Sequence, residues 1–235
     1  YQLNGDATDV SGNYDGTASN VTYGTGVFGQ AGVFNGSNSY VSSPYNVGGD
    51  LTISGWVKFD TINTDEPIFC LDNIGGSGSR ALQIKRISSN KLYAYIFTGS
   101  DITGTTNLTS GVWYHIVATF ESNVALRVYI NGEFEAQSTN VATRPTQPNL
   151  FFGKYGDGSL TDVLDGSIDQ VRIFNEALTP LEVEALYTEE LCICDGTVDT
   201  LDILGDGSCI ATYQLDGNAN DLSGNYSGTP TDVSY

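Results

Sequence analysis

The first 23 residues of the chain recur in closely similar form at its other end. Residues 1–23 read YQLNGDATDVSGNYDGTASNVTY and residues 213–235 read YQLDGNANDLSGNYSGTPTDVSY, with 14 of the 23 positions identical. The copies begin 212 residues apart (213 − 1), far beyond solenoid periods of roughly 20–50 residues, which indicates tandem domains. A circular permutation, in which the second copy completes the same domain, is the alternative. Both copies carry the whole motif, which favours the tandem arrangement.

Between the two copies, short apolar segments alternate with turn residues. Residues 51–59, LTISGWVKF, place apolar side chains at alternate positions, as in a strand with one buried face. Residues 113–120 and 125–130 are the strongest strands, and the second leads into Asn131-Gly132, the preferred two-residue hairpin. Roughly a dozen such segments predict an all-β fold, a two-sheet antiparallel sandwich.

The last strand of this unit is followed by a helix signal. Ile168, Val171 and Ile173 predict a closing strand. Thr179 then reads as a helix cap, with Pro180 at the first helical position and Glu182 closing a capping box. One short C-terminal helix is therefore expected.

Several segments together resemble the laminin-G-like, concanavalin A-like domains. They are the opening motif, GVFGQAGVFNGSNSYV, LTISGWVKF, WYHIVATF, RVYINGE and the closing DGSIDQVRIFNEAL, in the order typical of that family. The resemblance implies a jelly roll over residues 1–188. It leaves residues 189–211 as an acidic, cysteine-containing linker and residues 212–235 as the start of the next repeat.

The charge of the chain excludes two classes of partner. There are 9 Lys plus Arg against 28 Asp plus Glu, a net charge of −19. Nucleic acids and anionic membrane surfaces need cationic contacts, so neither is expected as a partner. No segment is long and apolar enough for membrane insertion.

The acidic turns predict a calcium site instead. Ca²⁺ prefers carboxylate and carbonyl oxygens from Gly-rich turns, which the Asp9 segment and the 165–169 segment both contain. The resemblance implies that the first and last strands are neighbours, so Asp9, Asp165 and Asp169 would share one structural Ca²⁺. The alternative is that these carboxylates cap turns or pair with Arg172. Asp157 is a candidate for a second site.

A glycan site is expected by analogy with the family. Sugars are bound by aromatic faces and polar side chains, and loop aromatics such as Tyr155, Tyr45, Tyr93 and Tyr95 could form a platform. Asn73, Arg80 and Asp157 are its candidate polar partners. Packing is the alternative role for these tyrosines.

No catalytic site is expected. Jelly-roll glucanases carry Glu-x-Asp-x-x-Glu on one strand, which this chain lacks, and Glu133 and Glu135 lie at a hairpin tip. The sole histidine, His115, lies inside an apolar strand, where a structural role is expected.

The four cysteines divide into two groups. Cys70 lies in an apolar strand, where a buried thiol is expected. Cys192, Cys194 and Cys209 lie in the linker, and a disulfide from Cys192 or Cys194 to Cys209 would contribute roughly 3 kcal/mol. The third thiol could pair between chains. Zinc is the alternative, with poor ligand spacing.

Together these features predict a non-enzymatic repeat unit of an extracellular, cell-surface or virion-surface fibre, such as a phage tail fibre or a bacterial adhesin. Its expected partners are surface glycans or glycoproteins and neighbouring repeats. The second hypothesis is a purely structural repeat that forms a homo-oligomer or filament without binding a ligand.

Overall fold

The computed structural model describes residues 1–62, 64–72, 81–96, 100–144, 146–156 and 160–191. These described residues form fourteen strands and one helix. The strands are β1 (Thr17–Ser19), β2 (Thr22–Thr25), β3 (Gln30–Asn35), β4 (Tyr40–Ser43), β5 (Leu51–Phe59), β6 (Glu66–Asp72), β7 (Leu82–Arg86), β8 (Leu92–Ile96), β9 (Ser100–Thr103), β10 (Trp113–Glu121), β11 (Ala125–Ile130), β12 (Glu133–Ser138), β13 (Asn149–Phe152) and β14 (Asp165–Phe174), and the helix is α1 (Pro180–Leu191).

The strands form two antiparallel sheets of seven. Sheet A has the order β1-β4-β13-β6-β7-β8-β9, and sheet B has the order β12-β11-β10-β5-β14-β3-β2. Neighbouring strands come from distant parts of the chain, as β13 and β6 do in sheet A and β5 and β14 do in sheet B. This is the jelly-roll sandwich that the sequence predicts.

The core lies between the sheets and is built from the alternate apolar residues of both. Phe69 and Phe152 of sheet A pack edge to face with ring centroids 5.8 Å apart, and Tyr1 packs against Phe152 at 5.1 Å. Sheet B contributes residues such as Ile53, Val57 and Phe120, all buried. Burial of such side chains stabilises the fold by about 1.5–3 kcal/mol each.

The opening motif is part of this sandwich. The Tyr1 amine donates to Val171 O at 2.8 Å, and Val171 N donates to Tyr1 O at 2.9 Å, so the start of the chain lies beside β14. The sequence prediction that the first and last segments are neighbours is therefore confirmed at this point.

Strand β14 contains a bulge that its sequence signals. Its pairing with β5 shifts between Asp169 and Arg172, and Gln170 has a positive φ of 49°. The extra residue allows Ile168 and Val171, three positions apart, both to face the core.

The helix begins as predicted. Thr179 N and Oγ1 donate to Glu182 Oε2 at 2.7 and 2.8 Å, and Glu182 N donates back to Thr179 Oγ1 at 3.4 Å. The chain divides into two compact units, Tyr1–Val183 and Glu184–Tyr235, and the boundary falls within α1. In the described part of the chain, no helix is long and apolar enough to cross a membrane.

Candidate functional site

The outer surface of sheet A presents two tyrosines side by side. On β8, Leu92, Ala94 and Ile96 point into the core and are buried. Tyr93 and Tyr95 alternate with them and are half-buried on the opposite side. We call their surroundings the tyrosine face, which comprises the outward residues of three neighbouring strands: Gln83, Lys85, Tyr93, Tyr95, Asp101 and Thr103.

Strand register fixes which side chains flank the tyrosines. Tyr95 lies opposite Gln83 on β7 and opposite Asp101 on β9. Tyr93 lies opposite Lys85 and Thr103 in the same two strands. Lys85, Asp101 and Thr103 therefore flank the rings with accessible hydrogen-bonding side chains, the combination that orients a polar ligand over an aromatic surface, whereas Gln83 is 5% exposed and presents little surface to a ligand.

Charged groups hold Tyr93 in place. Lys85 Nζ lies 5.3 Å from the Tyr93 ring centroid and 2.6 Å from Asp65 Oδ2. The Tyr93 hydroxyl donates to Asp101 Oδ2 at 3.3 Å. Burial, together with the nearby Asp101 carboxylate, raises the pKa of Tyr93 to about 12, so its hydroxyl stays protonated and can act as a donor.

The other predicted glycan residues are differently placed. Tyr155 is 5% exposed and packs with Cys70 and Phe151, so its ring does not present an open face to a sugar. Tyr45 is also buried, in the main core. Asn73, Arg80 and Asp157 lie outside the described residues, and the glycan site built on them stays a prediction.

The carboxylate of Asp9 organises the opening loop. Its Oδ1 accepts from Ser11 N at 3.1 Å, and its Oδ2 accepts from the Ser11 hydroxyl, Asn13 N and Tyr14 N. Burial would raise the pKa of Asp9, but these hydrogen bonds outweigh it and lower the pKa. The geometry is that of a turn cap, the alternative that the sequence left open.

Asp169 has a different set of partners. Its Oδ2 accepts from Val27 N and Phe28 N at 2.8 and 2.9 Å, which fixes the turn between β2 and β3 against β14. Gly26 is needed there, because a Cβ at this position would lie 2.4 Å from Asp169 Oδ2. Burial raises the pKa of Asp169 to about 6, although the two N–H donors partly offset this effect.

The three predicted calcium ligands therefore stand apart. Asp165 begins β14 opposite Asn35, and the hydrogen bonds of Asp9 and Asp169 share no residue with it. Within the described residues, no three Asp, Glu, His or Cys side chains are grouped so that they could hold a metal ion. The calcium site at Asp9, Asp165 and Asp169 stays a prediction without support from this geometry.

A serine and a histidine form a buried pair on the outer side of sheet B. His115 Nε2 lies 2.8 Å from Ser54 Oγ, a distance that also suits a nucleophile and its base. Both side chains are almost completely buried, and burial lowers the pKa of His115 to about 4, with a further contribution from Arg172. The pair is out of reach of a substrate and has the structural role expected for His115.

Only Cys70, of the four cysteines, lies within the described residues. Cys70 is fully buried, as expected, and its Sγ lies 4.0 Å from Asp72 Oδ2. Cys192, Cys194 and Cys209 lie outside the described residues, so their disulfide stays a prediction. The linker 189–211 and the second motif, 212–235, also lie almost entirely outside them.

Comparison with known families decides the identity of the fold. The sequence matches the Laminin_G_3 family, of the concanavalin A-like lectin/glucanases superfamily, over residues 35–184, more than half of the chain. The chain belongs to this family. The laminin-G-like domain is also 29% identical over 147 residues to the rat (Rattus norvegicus) protein "Sushi, von Willebrand factor type A, EGF and pentraxin domain-containing protein 1". The match covers 58% of this chain but only 4% of that curated relative's length.

Solved structures share the fold of the laminin-G-like domain. Domain 4 of AbnA, a GH43 extracellular arabinanase from Geobacillus stearothermophilus solved with arabinotriose, has a TM-score of 0.63 and 24% identity, covering 77% of this chain and 93% of that one. The binding domain of Paraclostridial Mosquitocidal Protein 1 has a TM-score of 0.62 and 18% identity, covering 77% and 49%. The receptor binding domain of botulinum neurotoxin D has a TM-score of 0.60 and 13% identity, covering 77% and 50%.

The laminin-G-like domain also has a concave feature, which sequence analysis missed. A cleft of about 530 Å³ runs along the C-terminal part of β14, between residues 170–175 and the opening motif. Tyr1, Asp9 and Tyr14 line one side, and Tyr45, another lining residue, donates to Asn175 Oδ1 at 3.1 Å. We call it the β14 cleft. The sequence contained one clue to it: the three-residue spacing of Ile168 and Val171 indicates a bulge in β14, and the cleft lies beside that bulge.

Proposed function

We propose that this laminin-G-like domain is a non-enzymatic, glycan-binding repeat unit of an extracellular or virion-surface fibre. The observation that carries the proposal is the tyrosine face, where two half-buried rings lie side by side between polar side chains. Sugars are bound through their apolar faces by such rings and through their hydroxyls by flanking amide, carboxylate and ammonium groups. The fold relatives that are described as binding domains, and the one solved with arabinotriose, support this function.

A binding role is also favoured over a hydrolytic one. The Ser54–His115 pair is buried, and Glu135 is engaged by the backbone and hydroxyls of Thr105 and Thr106. Glycoside hydrolysis needs two carboxyl groups about 5–9 Å apart on either side of an accessible bond. Catalytic relatives such as the GH43 arabinanase and the sialidases share the fold with this chain at 24% identity or less.

A glycan array tests the proposal. The folded chain is applied with millimolar Ca²⁺ and, in parallel, with a chelator. We expect binding to a defined glycan class, and loss of binding with the chelator would support the predicted dependence on calcium. Absence of binding in both conditions would overturn the glycan proposal.

Variants assign the binding site. Replacing both rings (Tyr93→Ala with Tyr95→Ala) should weaken binding at least about tenfold, which corresponds to about 1.4 kcal/mol. Trp113→Ala is the matched control, because Trp113 is a half-buried ring with Lys58 Nζ 5.5 Å from its centroid on the other sheet. Equal losses in both variants would contradict the assignment to the tyrosine face.

The second candidate function is a structural filament unit. The near-verbatim restart of the opening motif at Tyr213 favours it, because repeated contacts between units select for similar sequences. Glycan binding that is absent in the array, combined with concentration-dependent assembly in analytical ultracentrifugation, would support this function instead.

A further inference from the structure

One side of the sandwich is closed where the edge strands of the two sheets meet. Strand β9 lies at the edge of sheet A, strand β12 lies at the edge of sheet B, and the two are neighbours. Among the described strands, β9 is hydrogen-bonded to β8 alone. This short strand carries Asp101 and Thr103, two of the polar side chains of the tyrosine face. A strand with a single partner is easily displaced, so a second attachment of β9 bears on the site.

Glu135 of β12 supplies such an attachment. Its Oε2 accepts from Thr105 N, Thr105 Oγ1 and Thr106 N at 2.5, 2.9 and 2.9 Å, and its Oε1 accepts from the Thr106 hydroxyl. Both threonines lie in the turn that leaves β9. Burial would raise the pKa of Glu135, but these hydrogen bonds outweigh it and lower the pKa. The bonds from the two backbone N–H groups are therefore charge-assisted and strong.

Glu135 approaches this turn closely because residue 104 is a glycine. A Cβ on Gly104 would lie 3.0 Å from Glu135 Oε2 and 3.6 Å from Leu92 Cβ. Gly104 N donates to Leu92 O at 2.8 Å, which continues the ladder between β9 and β8 into the turn. Lys91 Nζ donates to Thr105 O, and Lys91 directly precedes β8. Lys91 therefore ties the turn to its own sheet, and Glu135 ties it to the opposite sheet.

The register of β9 sets how its polar side chains meet the two rings. The hydrogen bond from the turn to β8 marks a bonded position, and such positions alternate along an antiparallel pair. The Ile102 amide is therefore bonded to β8. The two flanking pairs are non-bonded positions, where opposite side chains approach most closely. They are Tyr93 with Thr103 and Tyr95 with Asp101. A displacement of β9 would directly change the spacing between the rings and these polar groups.

We propose that Glu135 is a positioning residue for the tyrosine face. Through the turn at 104–106 it fixes β9, and so it holds the polar side chains of this strand beside the two rings. The role requires no contact between Glu135 and a ligand, because the carboxylate acts through the backbone of β9. Side chains that are held in place before binding cost less to order when a ligand arrives. The effect on affinity rests on the proposed glycan function.

The test compares Glu135→Ala with Asp50→Ala in the full chain. Asp50 is the matched control, because it is also a half-buried carboxylate and its Oδ1 accepts from Ser122 N at 2.8 Å, away from β9. Both changes should lower Tm. We expect only Glu135→Ala to speed hydrogen exchange at the Ile102 amide, by at least about tenfold. It should also weaken binding of the array glycan that the parent chain binds most tightly, by at least about threefold.

Glu135→Gln is the rescue variant. Glutamine fits the same space, can accept from the two backbone N–H groups and can donate to the Thr106 hydroxyl, so Ile102 exchange should stay close to that of the parent. Unchanged Ile102 exchange in Glu135→Ala, or an equal acceleration in Asp50→Ala, would overturn the proposal. So would faster exchange without loss of glycan affinity. A parent chain that binds no glycan would overturn the proposed function, and Ile102 exchange would then decide alone whether Glu135 fixes β9.

Discussion

At the scale of single residues, Glu66 and Arg86 form an ion pair inside the sandwich. Their side chains are 2% and 0% exposed, and Arg86 Nε donates to Glu66 Oε2 at 3.0 Å. The Arg86 guanidinium lies 4.9 Å from the centroid of the Phe59 ring. The preceding residue, Lys85, makes a partly exposed pair with Asp65. The two pairs differ mainly in burial.

Removing the buried cation Arg86 should lower the free energy of unfolding far more than removing the partly exposed cation Lys85. We expect Arg86→Ala to lower the free energy of unfolding by about 3–5 kcal/mol, because it leaves the Glu66 carboxylate buried without its cation. Lys85→Ala should cost below about 1 kcal/mol. Urea denaturation measures both. The double change Glu66→Gln with Arg86→Met should cost less than Arg86→Ala, and a larger cost would contradict this explanation.

Asp169 should give the chain a pH dependence of a particular sign. Its folded pKa of about 6 exceeds the ordinary unfolded value of about 3.9. The folded protein therefore binds the extra proton, and stability falls as pH rises through this window. Asp169→Asn should remove this loss. The difference in free energy of unfolding, Asp169→Asn variant minus parent, should therefore rise by about 2–3 kcal/mol from pH 4 to pH 7.

The comparison with Asp169→Asn cancels the titration of neighbouring groups. The lowered pKa of His115, about 4, acts in the opposite direction, because the unfolded imidazole binds the proton first. His115 and Arg172 are present in both proteins, so only the difference between the two pH curves reports on Asp169. A difference that stays constant with pH would show that the carboxyl titrates normally.

At the scale of secondary structure, the capping box fixes where α1 begins. Thr179→Ala removes the oxygen that accepts from Glu182 N and should cost about 1 kcal/mol in thermal or urea unfolding. Thr179→Ser keeps the oxygen and is the matched control. Equal stability of the alanine and serine variants would mean that the cap does not stabilise the helix.

The strands show where sequence reasoning works. The predicted bounds of β5 and β11 agree with the structure, because each has an apolar face of period two and a turn signal beside it. The segment from Gly26 to Phe34 in the family motif is only partly a strand, because β3 begins at Gln30. Its first residues form a turn in which Gly26 N donates to Gly29 O, and this turn is held by Asp169, which lies 142 residues after Val27 in the chain.

The candidate site was only partly predictable. Tyr93 and Tyr95 were predicted as platform aromatics on loops, whereas the structure places both on strand β8, where residues two positions apart share one face. Lys85 and Asp101 were missed, because their approach depends on the register between β7, β8 and β9, which no single segment specifies. Tyr155 was misplaced for a related reason, since its burial comes from packing against Cys70 and Phe151 of other strands.

At the scale of the whole molecule, charge limits which glycans can bind. The net charge is −19, and the cation of the tyrosine face, Lys85, is already paired with Asp65. We expect neutral glycans to bind at least tenfold more tightly than sialylated or sulfated forms of the same core, because of like-charge repulsion. Competition at two salt concentrations measures this. A preference for anionic glycans that weakens with salt would contradict the expectation.

The pairing of Tyr1 with Val171 also bears on how a chain of such domains would respond to tension. In an antiparallel pair, a segment entering at Tyr1 and the end of β14 leave the sheet from the same side. Tension applied at Tyr1 and at the end of β14 would therefore break the hydrogen bonds one after another, rather than loading them all together in shear. The residues before β1 would separate from β14 first, and the removal of Tyr1 and Leu3 from the core would precede the unfolding of the two sheets.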